Sequence, residues 1–173
     1  MDQRENQKKL QGQIQSLHSG NKSAILNTLK ELRSLGKVAI LPDLFQVMLV
    51  QEDAQILGEL ASFLNDLKDP EAAEILAMAV ANPEYKSIQT TLTAACWQNG
   101  LSYGKHLDIF AEVLVSADYE TALEAYTVLE EAIGEVDTPG RQKLSDQLKS
   151  RLTKVDEELK PLVVAMVNTI DSY

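Results

Sequence analysis

The feature of this 173-residue sequence that most constrains its fold is an apolar pattern that recurs every 31 to 34 residues. Within each recurrence, apolar residues are spaced by three or four positions, which is typical of one face of an α-helix. Matching triplets of this kind are, for candidate second helices, Ile25, Leu29 and Leu32; Ile56, Leu60 and Phe63; Ile88, Leu92 and Ala95; and Ala122, Tyr126 and Leu129. Those of the candidate first helices are Leu10, Ile14 and Leu17; Leu41, Phe45 and Met48; Ala72, Leu76 and Ala79; and His106, Phe110 and Val113. A period of this length in a helical chain predicts a stack of helical hairpins.

Turn-forming residues separate the predicted helices. Gly, Asn, Asp and Pro occur where helix ends require them, as at Gly20, Gly36 and Asn99 to Gly104. The resulting units are residues 4–36, 38–68, 70–100, 104–134 and 138–171. We therefore predict a single all-α domain over residues 1–173, with about ten helices and no strand.

One unit carries a family resemblance. The stretch AILPDLFQVMLVQEDAQILGELASFLNDL, with Pro42, Asp43, Asp53 and an apolar run over 57–64, resembles a HEAT repeat. The resemblance implies a right-handed α-α superhelix of about five HEAT-like hairpins, and a role in binding other proteins without common catalytic residues. The later units lack the early proline, so armadillo and tetratricopeptide arrays remain alternatives.

Charge and composition limit the kinds of partner and the cellular location that we expect. The chain has 26 acidic and 16 basic residues, for a net charge of −10, which disfavours nucleic acid because such binding depends on Lys and Arg. The single cysteine excludes an internal disulfide. The opening MDQRENQKKLQGQ lacks the apolar core of a signal peptide, and the apolar runs are shorter than the roughly 20 residues that cross a bilayer. We expect a cytoplasmic protein that does not associate with membranes.

Reactive groups are few. His18 and His106 are far apart and neither has a second ligand at helical spacing, so no metal site is predicted. Cys96 precedes His106 closely, which raises the possibility of a nucleophilic Cys–His pair. However, Cys96 falls on an apolar helix face, where cysteine is usually a buried hydrophobe. We expect no cofactor and no enzymatic activity. The alternative is a HEAT-like enzyme resembling DNA glycosylases, which would need a basic, aromatic-lined groove.

A polar stripe with the only tryptophan predicts a binding surface. Helical spacing places it on the side opposite Ile88, and its residues are Lys86, Thr90, Thr93 and Trp97, followed in the next unit by Glu120, Glu124, Thr127 and Glu131. An aromatic centre beside acidic residues would suit a protein or peptide with an apolar anchor and nearby basic residues. The alternative is that Trp97 folds onto the loop of Tyr103 and completes the core.

The last helix carries more apolar surface than a terminal repeat requires. Val164 and Ala165 lie beside a complete apolar stripe of Leu159, Leu162, Val163, Met166, Val167 and Ile170. Either the helix is capped by the amino-terminal segment, leaving a monomer, or it pairs with a second copy in a homodimer. A self-assembling structural subunit is therefore a third functional alternative.

Overall fold

The computed structural model describes residues 3–35 and 38–173, in which all regular structure is helical and no strand occurs. The predicted all-α class and the count of about ten helices are confirmed. In chain order the helices are α1 (Gln3–Leu17), α2 (Lys22–Leu35), α3 (Leu41–Val50), α4 (Ala54–Asn65), α5 (Glu71–Ala81), α6 (Gln89–Gln98), α7 (Leu107–Ser116), α8 (Tyr119–Ala132), α9 (Thr138–Arg151) and α10 (Lys160–Asp171). Short 3-10 segments occupy Val38–Ile40, Pro83–Ile88, Gly104–His106 and Ile133–Glu135. Gly36, at the predicted end of the first unit, lies outside the described residues.

The helix starts follow from local side chains. Asp53 begins α4 by accepting hydrogen bonds from the backbone N–H groups of Gln55 and Ile56, at 2.9 and 3.2 Å. Asp118 and Asp137 do the same for α8 and α9. These caps satisfy donors that have no partner within the helix. At the other end of a helix, Gly100 follows α6 with a φ of +68°, a conformation that glycine adopts without strain.

The helices pack in consecutive pairs, and most of them also pack on the helix two further along the chain, with α3 and α5 as the exception. Within the pairs, α1 contacts α2, α3 contacts α4, α5 contacts α6, α7 contacts α8 and α9 contacts α10. The second helices of successive pairs also contact one another, from α2 through α4, α6 and α8 to α10. The core lies between these helices, and the predicted apolar triplets fill it: of their 24 members only Leu10, Ile14, Tyr126 and His106 are less than fully buried.

Polar contacts between successive pairs repeat at the period of the sequence pattern. Seven of them join residues 31 or 33 positions apart, and so connect equivalent places in neighbouring hairpins. They are Lys22 to Asp53 (2.8 Å), Lys68 to the Asn99 carbonyl (2.7 Å), Thr90 to Thr121 (2.6 Å), Arg33 to Asp66 (2.9 Å), Asn65 to Gln98 (2.5 Å), Ser102 to Glu135 (2.5 Å) and the Gly104 N–H to Glu135 (3.0 Å). The spacing that predicts the repeat is therefore also the spacing of its contacts.

Candidate partner-binding surface

The predicted binding residues come from two adjacent second helices and the segment before one of them. Thr90, Thr93 and Trp97 lie on α6, and the four residues of the following unit lie on α8. The spacing predicted that Lys86 and Trp97 lie on one helix, but they do not. It lies in the 3-10 segment Pro83–Ile88, where its exposed amine donates to Gln89 Oε1 at 2.7 Å. Asn82 and Pro83 start that segment, and α6 therefore begins only at Gln89.

The two predicted threonines of α6 have different settings: Thr90 contacts α8, whereas Thr93 is buried and bonds within α6. The Oγ1 atoms of Thr90 and Thr121 lie 2.6 Å apart, and the Thr121 hydroxyl also contacts the Asp118 carboxylate. Thr93 is fully buried, and its hydroxyl donates to the carbonyl of Gln89 at 2.7 Å. The expectation that Thr93 contributes to a surface is therefore wrong, because a hydroxyl that bonds within its own helix can face the interior without an unpaired group.

Trp97 is half-buried, and its indole is held from the neighbouring helix. Nε1 donates to Oε2 of Glu124 on α8, with 2.5 Å between the two atoms. The ring borders a pocket of about 210 Å³, which is also lined by Leu101, Tyr103, Glu131 and Glu135. The position combines features of both interpretations of the sequence: the ring packs near the loop of Tyr103, and it remains accessible at the edge of an acidic pocket.

The loop after α6 shapes this pocket. Asn99 and Tyr103 are both buried and bond to each other through the amide and the phenol, at 3.0 Å. Tyr103 also packs edge-on against Phe110, with 5.6 Å between ring centroids. On the outside of the loop, Glu135 accepts from the Ser102 hydroxyl and the Gly104 N–H. The sequence places Glu135 among the acidic residues that flank the Trp97 stripe, but it did not predict these bonds to the loop, for which the signal is a spacing of 33 residues from Ser102.

Helix α8 presents an acidic face with little to neutralise it. Its sequence, YETALEAYTVLEEA, contains no Lys or Arg. Glu120 and Glu131 are exposed, Glu124 and Thr127 are half-buried, and no ion pair between described residues involves α8. Tyr119 and Leu123 add apolar surface on the same helix, with exposed fractions of 44% and 42%. These two were not among the predicted residues, although both fall outside the apolar stripe of α8.

The single cysteine is in an unreactive setting. Cys96 is buried, its thiol donates to the Leu92 carbonyl at 3.2 Å, and burial raises its pKa to about 12. Burial also raises the pKa of Tyr103 well above its usual range. A thiol needs its thiolate form to act as a nucleophile, so the environment of Cys96 does not favour nucleophilic chemistry. His18 Nε2 lies 3.4 Å from Asp43 Oδ1 at the surface.

Within residues 3–35 and 38–173, no group of three or more His, Cys, Asp or Glu side chains is arranged to hold a metal ion. None of the helices there combines the length and the apolar character required to span a bilayer.

The last helix packs against α9, α8 and α7. Val163, Met166, Val167 and Ile170 are buried, whereas Val164 is 44% exposed and Ala165 is half-buried. The surplus apolar surface expected from the sequence is therefore present at the end of the chain, and the choice between a capped monomer and a homodimer stays a prediction.

No protein-family model matches the chain, and no curated protein sequence matches it.

Proposed function

We propose that this protein is a non-catalytic binding module that binds a protein or peptide partner on the surface formed by α6 and α8. The observation that carries the proposal is the position of Trp97, which is half-buried, bonded to Glu124 and beside a pocket lined by Glu131 and Glu135. A held aromatic ring loses little conformational entropy on binding, and aromatic residues dominate the affinity of many interfaces.

The chemistry of the surface favours a partner with an apolar anchor and neighbouring Lys or Arg. The unneutralised carboxylates of α8 would attract such a partner and accelerate encounter, particularly at low salt. Nucleic acid is disfavoured on the same ground, because an acidic helix repels a phosphate backbone. The α-helical pairs and their contacts at the repeat period support the further proposal of a right-handed HEAT-like superhelix in the cytoplasm, with α6 and α8 on its concave side.

The experiment is an affinity capture followed by a measured binding constant. Wild-type protein and a Glu120→Lys, Glu131→Lys variant are used as baits, and each protein retained by the wild type is purified and titrated against both. A Glu52→Lys, Glu158→Lys variant is the matched control, because it makes the same charge change at exposed residues outside α6 and α8. Binding that is weakened by the α8 variant alone supports the proposal, and equal loss in both variants contradicts it.

Two further measurements separate the alternatives. A gel-shift titration with duplex DNA at low salt that shows tight binding would favour the glycosylase-like alternative. Light scattering that shows growth in mass with concentration would favour a self-assembling subunit instead.

A further inference from the structure

A second concave surface lies away from α6 and α8, between α3, α5 and the 3-10 segment Pro83–Ile88. It is a groove of about 580 Å³, and its lining is mainly apolar. The principal lining residues are Pro42, Phe45, Ile75, Met78, Ala81 and Tyr85.

The groove exists because α3 and α5 do not pack closely. Elsewhere the first helices of successive pairs meet, as α1 meets α3, α5 meets α7 and α7 meets α9. The main contact of α3 in this direction is instead with the segment Pro83–Ile88. Tyr85 of that segment packs edge-on against Phe45, with 5.5 Å between ring centroids, and its hydroxyl accepts from Gln46 Nε2 at 3.3 Å. The floor of the groove is therefore fixed before any partner binds.

The open side of the groove exposes apolar side chains. Met78 is 59% exposed, and Ile75 and Tyr85 are half-buried. Methionine is flexible and polarizable, and it adapts to the shape of an apolar partner better than a branched side chain does. A groove lined in this way fits the apolar face of an amphipathic helix.

The rim of the groove is acidic. Glu74 lines it, and helical spacing places Glu71 on the same face of α5 as Glu74 and Met78. Glu84, immediately before Tyr85, is also exposed. None of these three carboxylates takes part in an ion pair between described residues. The basic residue nearest in sequence to Glu84 is Lys86, whose amine is bonded to Gln89 Oε1. The one nearest to Glu71 and Glu74 is Lys68, whose amine donates to the Asn99 carbonyl.

We propose that this groove docks a basic amphipathic helix of another protein. The apolar face of that helix would lie on Ile75, Met78 and Tyr85, and its Lys or Arg residues would pair with Glu71, Glu74 and Glu84. The charge of the rim selects this occupant, since an acidic or neutral helix would leave three carboxylates unpaired beside a dehydrated contact. The proposal does not depend on the function proposed for α6 and α8.

The test uses a fluorescein-labelled peptide, LKKLLKLLKKLLKL, titrated with the protein and followed by fluorescence anisotropy at low salt. Met78→Gln is expected to weaken binding about tenfold, as the loss of a central apolar contact does. Val50→Gln is the matched control, because Val50 is 78% exposed and does not line the groove, and it should change the affinity less than twofold. Circular dichroism checks that both variants remain folded, and Met78→Ala repeats the test with a good helix former.

Three comparisons decide the outcome. Glu74→Gln should weaken binding more than Glu52→Gln, and the acidic peptide LEELLELLEELLEL should not bind. Trp97→Ala should bind the basic peptide as the wild type does, which separates this groove from the α6 and α8 surface. Equal effects of Met78→Gln and Val50→Gln would overturn the proposal, as would loss of binding in Trp97→Ala or a protein dimer that Met78→Gln dissociates.

Discussion

The indole nitrogen of Trp97 on α6 donates a hydrogen bond to Oε2 of Glu124 on α8 across 2.5 Å. The polar edge of the only tryptophan is thus paired inside the protein, while part of the ring remains exposed beside the pocket of Glu131 and Glu135. The contact joins two helices and also fixes the orientation of the ring that a partner would meet.

Removing this ring should affect binding more than folding. We expect Trp97→Ala to lower partner affinity by roughly 2 kcal/mol or more, because a preorganised aromatic anchor is lost. Isothermal titration with the captured partner measures the affinity, and urea unfolding measures the stability. Trp97→Phe is the control that keeps most of the apolar surface and removes only the N–H donor. If Trp97→Ala instead unfolds the protein and the remaining folded fraction binds normally, then the tryptophan is a core residue and the surface proposal is wrong.

The acidic residues of α8 should act mainly on the rate of association. Glu124→Lys would also break the bond to Trp97, so Glu131→Lys is the cleaner variant. We expect it to slow association at low salt and to have little effect at high salt, since screening removes long-range attraction. Stopped-flow mixing with the partner, at two salt concentrations and with Glu52→Lys as control, measures the effect. An equal change in the dissociation rate would point to direct contact rather than to steering.

Two glycine substitutions should change stability in opposite directions. Gly100→Ala is expected to destabilise by about 1 kcal/mol, because φ at this position is +68° and a Cβ is strained there. Gly58→Ala is expected to stabilise by about 0.5 to 1 kcal/mol, because Gly58 lies inside α4 and an added Cβ would meet nothing within 4 Å. Chemical unfolding of both variants measures the change in the free energy of unfolding, which should decrease for Gly100→Ala and increase for Gly58→Ala. The same sign for both would mean that the backbone at one of these positions differs from the structure.

The cap of α8 should contribute stability that depends on pH. Asp118→Ala is expected to cost about 1 kcal/mol, because it leaves the Thr121 N–H unpaired. Asp108→Ala is the control, since Asp108 is also exposed in a first turn but α7 has no side-chain cap.

The charge of Asp118 is expected to account for part of this effect. The hydrogen bond from the Thr121 backbone lowers the pKa of Asp118 below its usual value, so the folded state favours the charged carboxylate. This contribution is complete above the unfolded pKa of about 3.9 and is lost as the pH falls through the lower folded pKa. The stability difference between wild type and Asp118→Asn should therefore shrink as the pH is lowered from about 5 to about 3. A difference that stays constant over this range would contradict the cause given for the lowered pKa.

The thiol of Cys96 should be protected in the folded protein. With burial and a pKa of about 12, its reaction with a disulfide reagent at neutral pH should be at least about a hundredfold slower than in denaturant. Absorbance of the released thiolate follows the reaction. A fast reaction in the native state would show that Cys96 is accessible, and would favour a nucleophilic pair of Cys96 and His106.

The periodicity of the sequence was sufficient to predict the helices and most of the core. Apolar residues such as Leu60 and Leu92 recur at helical spacing, so they share one face of their helix, and that face is the one that is buried. Residues such as Asp53 and Gly100 mark helix ends for reasons that are local to the backbone. These features depend on short-range geometry, and the sequence alone therefore determined the all-α class and the positions of the helical pairs.

The tertiary structure decided the details of the surfaces. Spacing placed Lys86, Thr93 and Trp97 on one helical stripe, but the 3-10 segment before α6 separated Lys86 from it, and the packing of α6 buried Thr93. The bond from Trp97 to Glu124 and the groove over Tyr85 and Phe45 each depend on how far apart two helices lie. Helical periodicity specifies which face of a helix is apolar, but the distance between neighbouring helices is set by the side chains of both and by the link between them. For that reason the sequence determined most of what is buried, and only the packed structure decided which side chains meet and where an apolar surface stays open.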